Sequence, residues 1–333
     1  MKEFIIGKSE SGQRADKYLG RILPGASKSF LYKMMRKKNI DLNGHKLEGN
    51  EILKENDVLK IWFSDETFQK FSVLPKSSDN EEYVYAYNNL HGIKVVYEDD
   101  NIIILDKPFG ILSQKASDSD VSLNEWLIGY LLNEGKIEQK DLSFYKPSVQ
   151  NRLDRNTTGL VLCAKTVKGA SSLSDMIKER SVKKYYQALV FGTVSEEGTL
   201  IGYHYKDPTK NKAYIITENE YLKLSENDKG KYSKVITRYK PLKGIILKKS
   251  NIDASFIEVE LVTGKSHQIR AHMASIGHPL INDRKYCNQS EQITDDIPHY
   301  LLHAYKVIFP ADSCSLNLSE TEITSKTNIT ENL

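Results

Sequence analysis

Apolar residues recur at two different periods along this chain. Near the N-terminus Leu19, Ile22 and Leu23 lie on one side of a helical pattern that opens at Arg14 and is broken by Pro24-Gly25. Ser27-Lys28-Ser29 then opens a second helix, with Leu31, Met34 and Met35 turned inward. Ile40-Asp41-Leu42 and His45-Lys46-Leu47 flank Asn43-Gly44, the sequence of a tight hairpin, and the stretch 57–63 closes with an alternating strand. Residues 64–90 are polar without a sustained period and read as a linker, with Val84, Tyr85 and Tyr87 as an edge strand.

From His91 the pattern is longer-ranged. Residues 95–105 read as two strands around an acidic turn. Ser122 and Glu125 form a capping box for a helix whose Leu123, Trp126, Leu127, Tyr130 and Leu131 are core. Residues 148–165 read as an extended run, a polar turn and a second extended run. A helix over about 168–180 delivers the chain into a strand at 184–194, and 195–250 suggests further strands with a basic, tyrosine-bearing insertion. An alternating strand at 256–262 turns at Thr263-Gly264 into a helix from about 266 to 276. There Ile269, Met273 and Ile276 form the apolar face, and His267 and Arg270 share another. A last strand ends at Pro310. The expected organisation is α+β: a small unit at 1–63, a linker at 64–90, a large domain at 91–311 and a disordered tail at 312–333.

Composition narrows the class. With 39% hydrophobic and 27% charged residues the chain reads as a soluble globular protein. Cys163, Cys287 and Cys314 are far apart, which suits neither a disulfide frame nor a zinc site and agrees with a cytoplasmic location. There is no signal peptide and no apolar run of the ~18 residues a spanning helix needs. No P-loop, dinucleotide glycine fingerprint or zinc-protease motif occurs. His267 and His272, five apart on a helix, point in different directions, so neither a metal nor a cofactor is expected.

A net charge of +3 says little, but its distribution says more. No acidic residue lies between Asp16 and Asp41, while Arg21, Lys28, Lys33, Arg36, Lys37 and Lys38 do. Lys33, Arg36 and Lys37 share one helix face, a pattern suited to phosphate.

The densest candidate chemistry lies in Arg152-Leu153-Asp154-Arg155-Asn156-Thr157-Thr158-Gly159-Leu160. Asn, Thr and Gly are turn formers, but a turn does not need the charges. An aspartate between two arginines has reason to stay ionised, and an ionised carboxylate at a strand end can serve as nucleophile or base. Alone, such a run is ordinarily a surface ion pair. Its neighbours decide otherwise. The run closely resembles the signature of RluA-type pseudouridine synthases, commonly H-R-L-D-x-x-T-S-G-L. Asp106-Lys107-Pro108-Phe109-Gly110 resembles the family's N-K-P-x-G turn, and 184–192 its K-x-Y-x-A-x-V-x-G strand. Residues 263–272 are similar to T-G-R-T-H-Q-I-R-x-H. Departures are Asn151 for His, Thr158 for Ser and Lys265 for Arg.

The resemblance implies a catalytic domain with a mixed, largely antiparallel central sheet, flanking helices and a cleft holding Asp154. It implies cofactor-free isomerisation of uridine in RNA, with Asp154 as nucleophile, Arg270 as its cation and Tyr186 against the base. It leaves open whether Asp154 attacks sugar or base. The order of elements in 1–63 resembles the alpha-L RNA-binding module that often precedes such domains. Expected RNA contacts are Arg14, Lys28, Lys33, Arg36, Lys37, Arg152, Arg155, Lys184, Lys265 and His267. Ribosomal RNA of the large subunit is the expected partner of a monomeric enzyme, with transfer RNA as the alternative. A noncatalytic RNA-binding protein is disfavoured by the presence of Asp154, Tyr186 and Arg270 together. A glycoside hydrolase would need a second carboxylate, and the sequence places none beside Asp154.

Overall fold

The computed structural model describes all residues except 8, 9, 73–79, 144, 288–292, 312, 317, 328 and 330–333, and its strands fall into two sheets. The first unit runs β1 (Lys2–Ile5), α1 (Ala15–Ile22), α2 (Lys28–Arg36), β2 (Ile40–Leu42), β3 (His45–Lys46) and β4 (Val58–Ile61), with sheet order β1-β4-β2-β3. Asn43 and Gly44 both take positive φ, as the hairpin reading requires. Tyr18, Leu19, Leu31 and Met35 from the helices close on Ile40, Leu59 and Ile61.

The linker expectation is corrected. Residues 64–90 hold two helices, α3 (Asp65–Phe71) and α4 (Glu81–Asn89). Ser64 caps α3 by accepting from the Thr67 amide, and Phe68 and Phe71 pack on the first core. Val84, Tyr85 and Tyr87 are therefore helical rather than an edge strand. Tyr83 and Ala86 are buried, and Tyr87 packs against Trp126. These aromatic pairs are too short a signal to read without the surfaces they meet. The rest of the proposed linker, 73–79, lies outside the described residues.

The large unit continues with β5 (Lys94–Glu98), β6 (Ile102–Lys107), α5 (Leu123–Asn133), β7 (Ser148–Val149), β8 (Thr158–Ala164), α6 (Val167–Glu179) and β9 (Lys183–Phe191). It goes on through β10 (Gly198–Asp207), β11 (Lys212–Ile216), α7 (Glu218–Leu222), α8 (Glu226–Lys229), β12 (Ser233–Leu247), β13 (Ile252–Leu261), α9 (Gln268–Ser275), β14 (Leu302–Ile308) and β15 (Glu322–Thr324). Strand order is β11-β10-β12-β13-β9-β14-β8-β6-β5, with β15 on β14 and β7 on β8. Among the described strands, only β14 and β8 pair in parallel. Strand β6 is buried along its whole length because both faces are covered. Ile103 and Leu105 join the core that holds Leu127 of α5, and Ile102 and Ile104 the core that holds Leu173 of α6.

The disordered-tail expectation is also corrected. Strand β15 extends the sheet, Leu316, Leu318 and Ile323 are buried against the α6 side, and the Ser325 and Thr327 hydroxyls donate to Asp106 at 2.5 and 2.9 Å. A polar, low-complexity composition conceals those few apolar anchors.

Gly159 sits at the start of β8 with φ +107, opposite Ala304 of β14. A Cβ there would lie 2.3 Å from the Ala304 carbonyl oxygen. Gly159→Ala should therefore cost about 2–4 kcal/mol through backbone strain and overpacking. Chemical unfolding at fixed temperature measures this, and an unchanged midpoint would refute it.

Candidate active site

The acidic loop lies between β7 and β8, and four local contacts hold it. The Leu153 side chain is buried. The Ser113 hydroxyl accepts from the Leu153 amide at 3.0 Å and donates to its carbonyl at 2.9 Å. The Thr157 amide donates to the Asp154 carbonyl at 3.0 Å. The Gly110 amide donates to the Arg155 carbonyl at 3.0 Å, tying the loop to the Lys-Pro-Phe-Gly turn.

Lys107 joins the same two segments from beneath. It is fully buried, and its Nζ donates to the carbonyls of Pro108, Ile111 and Arg155 at 3.1, 2.9 and 3.1 Å. Burial pushes it down to about 7, against the pull of the Asp154 charge. Only the protonated amine has three N–H donors for the three carbonyls. The motif's lysine is thus a strut under the loop, while its Phe109 stays 40% exposed.

Asp154 meets helix α9 across the cleft. Arg270 donates from Nη1 to Asp154 Oδ2 at 2.9 Å. Its Nε and Nη2 bond both oxygens of Asp283 at 2.6 and 2.8 Å. The guanidinium also lies over the rings of Tyr300 and Tyr286, 4.7 and 5.1 Å from their centroids. Burial alone would lower the Arg270 pKa, but the bonds and charge of Asp283, with Tyr300 and Asp154 behind them, raise it instead. One buried arginine therefore bridges two carboxylates, and Asp283 is the deeper of the two. The sequence reading missed Asp283, Tyr286 and Tyr300. Asp283 lies in a polar loop with no period to mark it, and its one signal was its place just after the Gly-His-Pro stop of α9.

His267 precedes α9 in a left-handed conformation, φ +57. Its Nε2 stands 3.7 Å from Asp154 Oδ2 and its Nδ1 3.0 Å from the Tyr286 hydroxyl. Burial pushes His267 down to about 4, with the Asp154 charge opposing and Arg270 adding to it. A neutral imidazole therefore stands beside the carboxylate. Tyr186 is buried in β9, and burial, then the Asp154 charge, raises its pKa so that it keeps its proton at neutral pH.

Arg152, Arg155 and Lys265 are exposed around the loop and the start of α9, and the Arg155 Nε donates to the Gly110 carbonyl. Lys28, Lys33, Arg36 and Lys37 are exposed on α2, and Arg14 is exposed but paired with Asp16 at 3.1 Å. Lys184 is corrected. It is 9% exposed, on the same face of β9 as Tyr186, and burial lowers its pKa. Strand alternation, which no motif reports, put it inside. Among the described residues no three His, Cys, Asp or Glu side chains are grouped to hold a metal ion.

The chain's likenesses to known proteins agree with this centre. A family model described as RNA pseudouridylate synthase matches residues 101–275, which include Asp154, Tyr186 and Arg270. An uncharacterised RNA pseudouridine synthase of Mycoplasma genitalium is 31% identical over 310 residues, covering 92% of this chain and 89% of that protein. The ribosomal large subunit pseudouridine synthase C of Rickettsia typhi is 30% identical over 300 residues, covering 88% of each. Human RNA pseudouridylate synthase domain containing 4 shares the fold at a TM-score of 0.53 and 18% identity, over 75% of this chain and 94% of that one.

Two outcomes follow from the electrostatics. Asp283→Asn removes one carboxylate from a buried arginine, which should cost about 3 kcal/mol in urea unfolding; an unchanged midpoint would mean that Asp154 alone satisfies Arg270. Between about 6.5 and 4 the unfolded chain binds protons at His267 and His272 that the folded protein refuses. Stability should therefore rise with pH across that window and fall on acidification. Thermal unfolding as a function of pH should show this slope, and His267→Gln should flatten it; equal slopes for both proteins would exclude His267 as a source.

Proposed function

The chain belongs to the RluA-type family of RNA pseudouridine synthases and is an RNA-modifying isomerase, and from that premise we propose that Asp154 is the nucleophile acting on a uridine of large-subunit ribosomal RNA. The observation that carries this reading is the Arg270 bridge. A carboxylate drawn into a partly closed cleft is best offset by a cation there, and Arg270 Nη1 lies 2.9 Å from Asp154. Arg270 and His267 both approach Oδ2, so Oδ1 is the oxygen assigned to attack. The reaction cuts the glycosidic bond, turns the uracil and joins its carbon 5 to the sugar, consuming nothing.

Tyr186 is assigned to the uracil, its ring as a stacking face and its retained hydroxyl proton as a donor. Asp283 is a positioning residue, holding the guanidinium in the plane from which Nη1 reaches Asp154. It also bears on the hydrolase alternative. Asp283 is a second carboxylate, but both its oxygens bond Arg270, which leaves it unavailable as the acid or base partner of Asp154.

The first unit is assigned to RNA binding as an alpha-L-type module. Its support is the basic, exposed face of α2 at Lys28, Lys33, Arg36 and Lys37. Arg152, Arg155 and Lys265 are assigned to backbone phosphates nearer the cleft. The large-subunit assignment rests on relatives named as ribosomal large subunit pseudouridine synthases.

Asp154→Asn tests the nucleophile. Because Asp283 still neutralises Arg270, the variant should remain folded, with a stability change of about 1 kcal/mol or less. Incubated with total RNA from cells lacking the gene, the wild type should create pseudouridine at a mapped uridine and the variant none. Wild-type turnover by folded Asp154→Asn protein would move the nucleophile elsewhere, and a mapped uridine outside large-subunit ribosomal RNA would replace the substrate.

A further inference from the structure

Beside the reacting centre lies a second concavity of about 600 Å³, within the range of pockets that hold small ligands. Arg270 and Tyr300 form its inner wall, shared with the centre, but neither Asp154 nor Tyr186 lines it. Asp154 is reached from it across Arg270.

Its rim has two unusual features. Phe109 and His299 stack face to face, ring centroids 3.6 Å apart at 27°. They come from opposite sides, Phe109 from the turn stapled to the Asp154 loop and His299 from the 293–300 loop. Burial lowers the His299 pKa, so a neutral imidazole meets the ring. The 293–300 loop is itself pinned: the Asn282 amide donates to the carbonyls of Thr294 and Ile297 at 2.8 and 2.6 Å, and its oxygen accepts from the Thr294 amide. The same cavity is lined by Arg284, which is exposed, and Lys285, whose Nζ also donates to the Asn211 carbonyl at 2.8 Å. Of the two carboxylates in the wall, Asp283 is neutralised by Arg270, which leaves Asp295 against two cations.

An aromatic pair and two cations lining one nucleotide-sized space match a base joined to a phosphate. We propose that this cavity receives a nucleotide neighbouring the target uridine, its base on the Phe109–His299 pair and its phosphate at Arg284. The proposal rests on the reading of the Asp154 centre as one that acts on RNA. It gives the motif's Phe109 a task apart from the lysine beneath it. The neighbour is seated on the turn that holds the Asp154 loop, so binding it fixes where the uridine enters.

The test uses the full chain and total RNA from cells lacking the gene. Pseudouridine formation is followed against protein concentration, and ultraviolet cross-links to RNA are located by peptide mass spectrometry. Phe109→Leu should raise the half-saturating concentration about tenfold, as loss of one stacked base does, and lower the rate at saturation far less. Phe109→Tyr should restore it. His299→Leu, on a separate loop, should act in the same direction and guards against a misfolded turn variant. Wild-type cross-links should fall on the peptides bearing Phe109 or His299. Unshifted curves for both Leu variants, with no such cross-link, would overturn the cavity while leaving the Asp154 reading intact. A wild type that forms no pseudouridine would defeat that reading instead, and the cross-links would still decide whether RNA enters the cavity.

Discussion

The buried guanidinium of Arg270 is the constraint on which the rest of the centre depends. An arginine so enclosed needs compensation, and three of its nitrogens find it in two carboxylates while two tyrosine rings cover its faces. The two carboxylates are not equivalent. Asp283 binds two nitrogens and is almost wholly enclosed, whereas Asp154 binds one and keeps a quarter of its side-chain surface exposed. The inner pair is a structural clamp. The outer carboxylate pairs with one nitrogen only and stays partly open to the cleft.

That division needs Asp154 to stand still, and the loop that carries it is held from several sides. Lys107 satisfies three carbonyls below it, Ser113 closes both polar groups of Leu153, and Gly159 lets β8 run against β14 where any side chain would collide. The C-terminal segment adds to the same region by bonding Asp106, the residue before Lys107. Among the described strands, the parallel pairing of β8 with β14 thus lies at the end of the Asp154 loop.

Much of this was legible in the residues. The helices and hairpin of the first unit, the capping box at Ser122 and the strand at 256–262 follow local rules of period and turn chemistry, and they stand where those rules place them. Asp154, Tyr186 and Arg270 were singled out through the resemblance of their stretches to family motifs, since the Asp154 turn alone would have read as a surface ion pair. What failed was of another kind. Residues 64–90 looked like a linker because their helices are anchored by only a few aromatic residues each, and the tail looked disordered because its apolar anchors are diluted by polar neighbours.

The sequence by itself determined the local elements and the kinds of side chain that could do the chemistry, since both depend on residues a few positions apart. Tertiary structure decided which charges meet and which are hidden. Asp154 and Arg270 are 116 positions apart, and that Asp283 would share the same guanidinium could not be read from either neighbourhood. Lys184 and His267, expected among the RNA contacts, are a buried lysine and a neutral imidazole for the same reason. Charge state and exposure belong to the surface that other parts of the chain leave uncovered, and that surface exists only once the sheet has formed.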